Sequence, residues 1–200
     1  MLDRPVNIAV LVSGGGTNLQ AILDAQQGGI IKSGKVALVV SDNENAYALQ
    51  RAQKAGVCSE VVKKSPDFES KLIECIEQYD IDLIVLAGFM CILSENFISH
   101  FRDRIINVHP SLIPSFCGKG FYGIHVHEAA LKKGVKVTGA TVHFVNEIPD
   151  GGKIIAQKAV EVLDDDTPQS LQRRVMQDAE WVILPSAIEK ISAEIRSKTT

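Results

Sequence analysis

The sequence predicts an α/β fold: a mostly parallel twisted sheet with helices on both faces, and an antiparallel strand addition in the C-terminal half. Three observations lead there. Short, nearly all-apolar runs, such as residues 6–12 and 81–87, read as strands buried on both faces. Stretches with helical spacing separate them, so strand and helix alternate as in βαβ units. After Pro110 that alternation stops, and residues 137–145 instead alternate apolar with small or polar side chains, as a half-exposed antiparallel strand does.

The elements follow in order. Residues 6–12 (VNIAVLV) are rich in β-branched side chains and end in Ser13-Gly14-Gly15-Gly16-Thr17-Asn18. Leu19, Ile22 and Leu23 then recur at helical spacing, giving strand, glycine turn and helix. Residues 36–40 form a second buried strand, and residues 46–55 a helix stopped by Gly56. Residues 57–62 are a third strand, 68–78 a helix, 81–87 a fourth strand and 105–108 a fifth. The glycines and prolines of residues 110–123 mark a long loop. Residues 154–162 are the partner of 137–145, joined through Pro149-Asp150-Gly151-Gly152. Thr167 is a good N-cap with Pro168 in the first helical position, and Pro185 is expected to kink or divide the C-terminal helix.

At 200 residues the chain suits one domain, 1–200, with a sizeable core. A hydrophobic content of 46% and a charged content of 22% exclude disordered, collagenous and disulfide-scaffold classes. With 21 basic and 24 acidic residues, the net charge of −3 offers no field for a nucleic-acid backbone. Cys58, Cys75, Cys91 and Cys117 form no C-x-x-C pair, so reduced and mostly buried thiols in a cytoplasmic protein are expected. Residues 1–5 run into an apolar stretch too short for a secretory leader and without its cleavage signal, so none is expected, and no apolar stretch approaches the length of a membrane span.

Four places carry candidate chemistry. At Ser13 to Asn18, a glycine turn between strand and helix lets backbone N–H groups approach a phosphate or carboxylate, with the helix dipole in support. It matches neither G-x-G-x-x-G nor a P-loop, and the same glycines also suit a plain tight turn. Asn107 and His109 share one face of a strand end, where an amide donor and an imidazole can serve an oxyanion and a proton. Asp150 precedes two glycines that allow a sharp inward turn; near His109 its carboxylate would favour the protonated imidazole, and without that neighbour it is an ordinary Asp-Gly turn. His125 and His127, with His143 further on, have the alternation of zinc ligands on a strand, but residues 128–131 look helical and no third ligand is at motif spacing, so structural or substrate-contacting histidines are expected. Lys132-Lys133 and Asp164-Asp165-Asp166 read as solvated surface.

Ser13-Gly14-Gly15-Gly16-Thr17-Asn18-Leu19-Gln20, Leu86-Ala87-Gly88-Phe89-Met90, Asn107-Val108-His109-Pro110-Ser111-Leu112-Ile113-Pro114 and Asp150-Gly151-Gly152 occur in this order at fitting distances. Together they resemble the phosphoribosylglycinamide formyltransferases, folate-dependent enzymes of purine synthesis, over essentially the whole chain. The resemblance implies a Rossmann-like formyltransferase fold, with a phosphoribosyl-substrate half at about 1–105 and a folate-cleft half at about 106–200. It implies transfer of the formyl group of 10-formyltetrahydrofolate to the amine of glycinamide ribonucleotide, without a metal. Asn107, His109 and Asp150 resemble the catalytic trio. Gly16, Thr17, Asn18, Lys71 and Glu180 resemble the ribonucleotide site. Met90, Cys91, Ile92 and Leu93, with Asn146, Glu147, Ile148 and Pro149, resemble the folate-lining segments. Cys91 stands where a basic residue is frequent, and Trp181 where a histidine usually follows the glutamate. The partners implied are small molecules, with no nucleic acid or membrane, in a monomer or homodimer.

Related chemistries fit less well. A tRNA-directed formyltransferase calls for a further C-terminal domain, and a formyltetrahydrofolate hydrolase for an N-terminal regulatory one. A non-catalytic phosphosugar-binding module would keep the glycine turn yet need neither His109 nor Asp150. A dinucleotide oxidoreductase lacks its glycine fingerprint here.

Overall fold

The computed structural model describes residues 2–198; Met1, Thr199 and Thr200 lie outside the described residues. The first half alternates β1 (Val6–Val12), α1 (Thr17–Gln27), β2 (Gly34–Ser41), α2 (Tyr47–Lys54), β3 (Cys58–Val61), α3 (Phe68–Gln78), β4 (Leu83–Leu86), α4 (Glu95–His100) and β5 (Ile105–His109). Then come α5 (Ile124–Lys133), β6 (Val137–Phe144), β7 (Ile154–Glu161), α6 (Pro168–Val175), a π-helical turn (Met176–Glu180) and α7 (Trp181–Lys198). All seven strands join one sheet in the order β3-β2-β1-β4-β5-β6-β7. β1 to β5 are parallel, whereas β6 runs antiparallel to both β5 and β7.

Two hydrophobic layers cover the sheet. On one face Leu19 and Ile22 of α1 and Leu184 and Ile188 of α7 pack on Val10, Val39 and Val85. On the other, Leu72 and Ile76 of α3 and Phe97 of α4 pack on Leu11, Leu38 and Ile84. Alternate residues of one strand thus serve opposite layers, which is why these strands are apolar throughout. The chain order reverses between β1 and β4, so a crevice opens at their carboxyl ends, the usual ligand edge of an open α/β sheet.

Several expectations are corrected. α4 has no counterpart in the predicted elements; Ser94 caps it by accepting from Phe97 N, and Phe97 and Ile98 anchor it. β3 and β4 are shorter than predicted. β6 is buried along most of its length rather than half-exposed. Helices cover one of its faces, and the loop after β5 covers the other, where Ile113 N donates to Thr141 Oγ1 at 3.1 Å. The exposed strand is instead the edge strand β7, in which only Val160 is buried. His125 and His127 lie on α5, a helix, so two residues' separation sends them in different directions. None of the four free cysteines is fully buried, and Cys58 is exposed.

The C-terminal helix begins as predicted, with a capping box between Thr167 and Ser170. Pro185 neither divides nor ends it: α7 continues through the proline. A proline ring crowds the carbonyl four residues back, here Trp181, and the irregularity lies just upstream of that residue in the wider π turn. Among the described residues, no helix is long and apolar enough to cross a membrane.

Candidate active site

The loops after β1 and β4 and the end of β5 meet at the carboxyl edge. Gly16 makes the first of them possible. Its φ of 69° is left-handed, and a Cβ there would lie 2.6 Å from that of Ala48. Ser13 then ties two loops together, its N–H donating to Gly88 O at 3.2 Å and its Oγ accepting from Met90 N at 2.9 Å.

Thr17 is exposed at the start of α1, and its hydroxyl faces Met176 Sδ at 3.7 Å. Asn18 is buried and donates through Nδ2 to Glu180 Oε2 at 2.7 Å. The π turn delivers Glu180 to α1, and 5% exposure leaves this carboxyl almost dry. Burial therefore pushes its pKa up to about 7, although the Asn18 bond pulls the other way. Asn18 Oδ1 is buried without a partner, so a protonated Glu180 has an acceptor beside it.

A second cluster forms across β5, β6 and the turn before β7. Asn107 and His143 stand directly opposite one another in the β5–β6 pairing. Asn107 Nδ2 lies 3.3 Å from His143 Nε2. His109 is 4% exposed; its Nε2 donates to Phe116 O at 2.9 Å and its Nδ1 lies 3.5 Å from Asp150 Oδ2. Asp150 completes the cluster. Its Oδ1 lies 3.5 Å from His143 Nε2, and its Oδ2 accepts from Gly118 N at 2.8 Å. Burial alone would raise the Asp150 pKa. The His143 ring 3.5 Å away, the Gly118 N–H and the charge of His109 outweigh it and hold the carboxyl below its usual range.

The turn that aims Asp150 is specific. Asp150 itself adopts a left-handed φ of 55°. Gly152 then passes so close to Phe144 that a Cβ would overlap the Phe144 carbonyl, so no other residue fits there.

The folate-lining segments of the resemblance flank this cluster in sequence. Leu93 is buried, but Met90, Ile92 and Ile148 expose large apolar surface, Ile92 to 88%. Cys91 donates to Asp42 Oδ2 at 3.2 Å; burial first, and then that carboxylate, push its thiol up to about 11. Asn146 Oδ1 accepts from Ile148 N, Glu147 pairs with Arg102, and Pro149 leads into Asp150.

Lys71 lies elsewhere. It pairs with Asp67 one turn back on its own side of the fold and lines a pocket of about 490 Å³ with Lys63 and Ser65, to which neither Asn18 nor Glu180 contributes. His125 is exposed and pairs with Glu128 at 3.0 Å. His127 is fully buried and neither ring nitrogen has a partner; burial, then the neighbouring His109 charge, drive its pKa down to about 4. Among the described residues, no group of three or more His, Cys, Asp or Glu is placed to hold a metal.

Sequence alone leaves His143 between structural and substrate-contacting roles. The signal was present in the alternation along residues 137–145, which puts Thr141 and His143 on one face. Only the register with β5 shows that this face looks at Asn107.

Residues 6–188 match the formyl transferase family model. The chain is 41% identical over 188 residues to phosphoribosylglycinamide formyltransferase of Escherichia coli, covering 92% of this chain and 85% of that protein. It is 38% identical over 181 residues to the chloroplastic phosphoribosylglycinamide formyltransferase of Arabidopsis thaliana, covering 88% of this chain but 62% of that one, so it spans less than two thirds of the plant protein. The crystal structure of glycinamide ribonucleotide transformylase 1 from Symbiobacterium toebii superposes with a TM-score of 0.88 at 42% identity, covering 95% of this chain and 89% of that one.

Proposed function

The chain belongs to the formyl transferase family, and from that premise we propose that it moves the formyl group of 10-formyltetrahydrofolate to the amine of glycinamide ribonucleotide. The observation that carries the reading is the convergence of Asn107, His109 and Asp150, from a strand end and a distant turn, on one small region at the ligand edge.

In the reaction, the bond from the formyl carbon to folate N10 breaks and a bond to the substrate amine forms. The amine gives up a proton and N10 gains one. Attack on the formyl carbon concentrates negative charge on its oxygen. Asn107 supplies an amide N–H to that oxygen. His109 supplies the second donor, its Nε2 exchanging the Phe116 carbonyl for the reacting oxygen as the 110–123 loop adjusts. Asp150 orients the imidazole through Nδ1 and favours the charge that builds on it. Holding amine and donor together removes much of the entropic barrier.

The same reading gives the first half of the domain, about 1–105, the ribonucleotide. Gly16 and Thr17 offer the start of α1 to its phosphate, and Asn18 and Glu180 meet its glycinamide end. The second half, about 106–200, takes the folate together with the 90–93 segment of the first, and the exposed apolar side chains of Met90, Ile92 and Ile148 suit a flat ring system. Lys71 is not included in the ribonucleotide site.

The test is His109→Ala assayed for transfer with both substrates. A loss of at least 10²-fold in kcat is expected of a group that donates to the developing oxyanion. Turnover close to that of the unmodified protein would dismiss the assignment.

A further inference from the structure

His143 is buried and has no part in the formyl-transfer steps. It is 2% exposed. Its Nδ1 faces the carbonyl oxygen of Phe144 at 2.8 Å, an acceptor only, so that nitrogen carries a proton. Its Nε2 faces two different groups: the Asn107 amide nitrogen at 3.3 Å and Asp150 Oδ1 at 3.5 Å. One nitrogen cannot accept from the first and donate to the second at the same time. The placement is built in by the strands. Asn107 and His143 are cross-strand partners, and the β6–β7 register shifts between Val142 and His143, with Ile155 of β7 as the extra residue.

We propose that His143 is a positioning residue of the transfer reaction: held as the neutral Nδ1–H tautomer, it accepts from Asn107 through Nε2 and so fixes the amide with its second N–H directed at the reacting oxygen. The inference rests on the formyl-transfer reading. An amide side chain has two N–H groups and rotates readily; tethering one determines where the other points. Without the tether, Asn107 would samples orientations that present its own carbonyl oxygen, a repulsive group, to the developing oxyanion. With Nε2 protonated the contact with Asn107 would turn from attractive to repulsive, and His143 would donate to Asp150 instead.

Three readouts test this together: steady-state kinetics of His143→Phe and His143→Gln, thermal denaturation of both, and ring ¹⁵N NMR of the unmodified protein. Phe keeps the ring shape and loses the acceptor; Gln puts an amide oxygen near the Nε2 position. The expected result is a fall in kcat on the order of ten- to a hundredfold for His143→Phe, with KM for both substrates little changed, and partial recovery in His143→Gln. The NMR spectrum should show Nδ1 protonated and Nε2 bare. Unchanged kcat in His143→Phe would overturn the proposal, as would a protonated Nε2. So would equal losses in both variants that track lowered melting temperatures, since these mark a merely structural histidine. An unmodified protein that transfers no formyl group would instead refute the proposed function, while the NMR tautomer would still report on the Asn107 contact.

Discussion

Replacing Glu180 by Gln should make the protein more stable above neutral pH and leave it nearly unchanged in mild acid. The folded protein holds the Glu180 proton up to about 7, against an ordinary 4.5. Between those values the folded state binds a proton that the unfolded chain has released, so stability falls as pH rises through this window. At about 1.4 kcal/mol per pH unit, the ionised carboxylate costs the folded state roughly 3 kcal/mol once the pH exceeds 7. The side chain is almost wholly buried, so solvent does little to screen that cost. A Gln carries no such charge. Its Oε1 can keep the bond from Asn18 Nδ2, and its Nε2 can donate to the unpartnered Asn18 Oδ1. Urea denaturation of both proteins from pH 4.5 to 8.5 checks the difference, in which titrations common to the two cancel. The stability gain of Glu180→Gln should grow from near zero at pH 4.5 to roughly 3 kcal/mol at pH 8.5. A difference that stays flat with pH, or a Gln variant that is weaker at pH 8.5, would refute the reasoning.

Two further outcomes follow from the second cluster. Asn107→Ala removes one of the two oxyanion donors proposed and should lower kcat on the order of 10²–10³-fold with substrate affinities nearly kept, as steady-state kinetics would show. Gly152→Ala forces the turn away from the Phe144 carbonyl and displaces Asp150; kcat should drop on the order of a hundredfold in a protein that circular dichroism still finds folded.

Much of this architecture was legible because the local signals agreed. The apolar runs, the glycine turn, the Thr167-Pro168 start and the strand end with Asn107 and His109 each pointed to one structure. What escaped depended on distant packing. β6 has the alternation of a half-exposed strand, yet a loop from beyond β5 covers its second face. α4 is only six residues long, and its anchor Phe97 gains its meaning from α3 and β4, not from any neighbour in sequence. Pro185 reads as an ordinary helix breaker, yet α7 runs through it, with a π turn just upstream. His143 could be assigned to Asn107 only through strand register, which its own segment does not encode. Lys71 sits on α3 beside Asp67, where helical spacing alone placed it, apart from the Asn18–Glu180 pair.

Release of tetrahydrofolate from 10-formyltetrahydrofolate, followed with and without glycinamide ribonucleotide, tests the formyl-transfer reading most directly. Release that depends on the ribonucleotide and matches the formylated product one for one is the predicted result. Equal release without the amine would mean that water is the acceptor. No release, with the ribonucleotide still bound, would leave Asn107, His109 and Asp150 as structural residues.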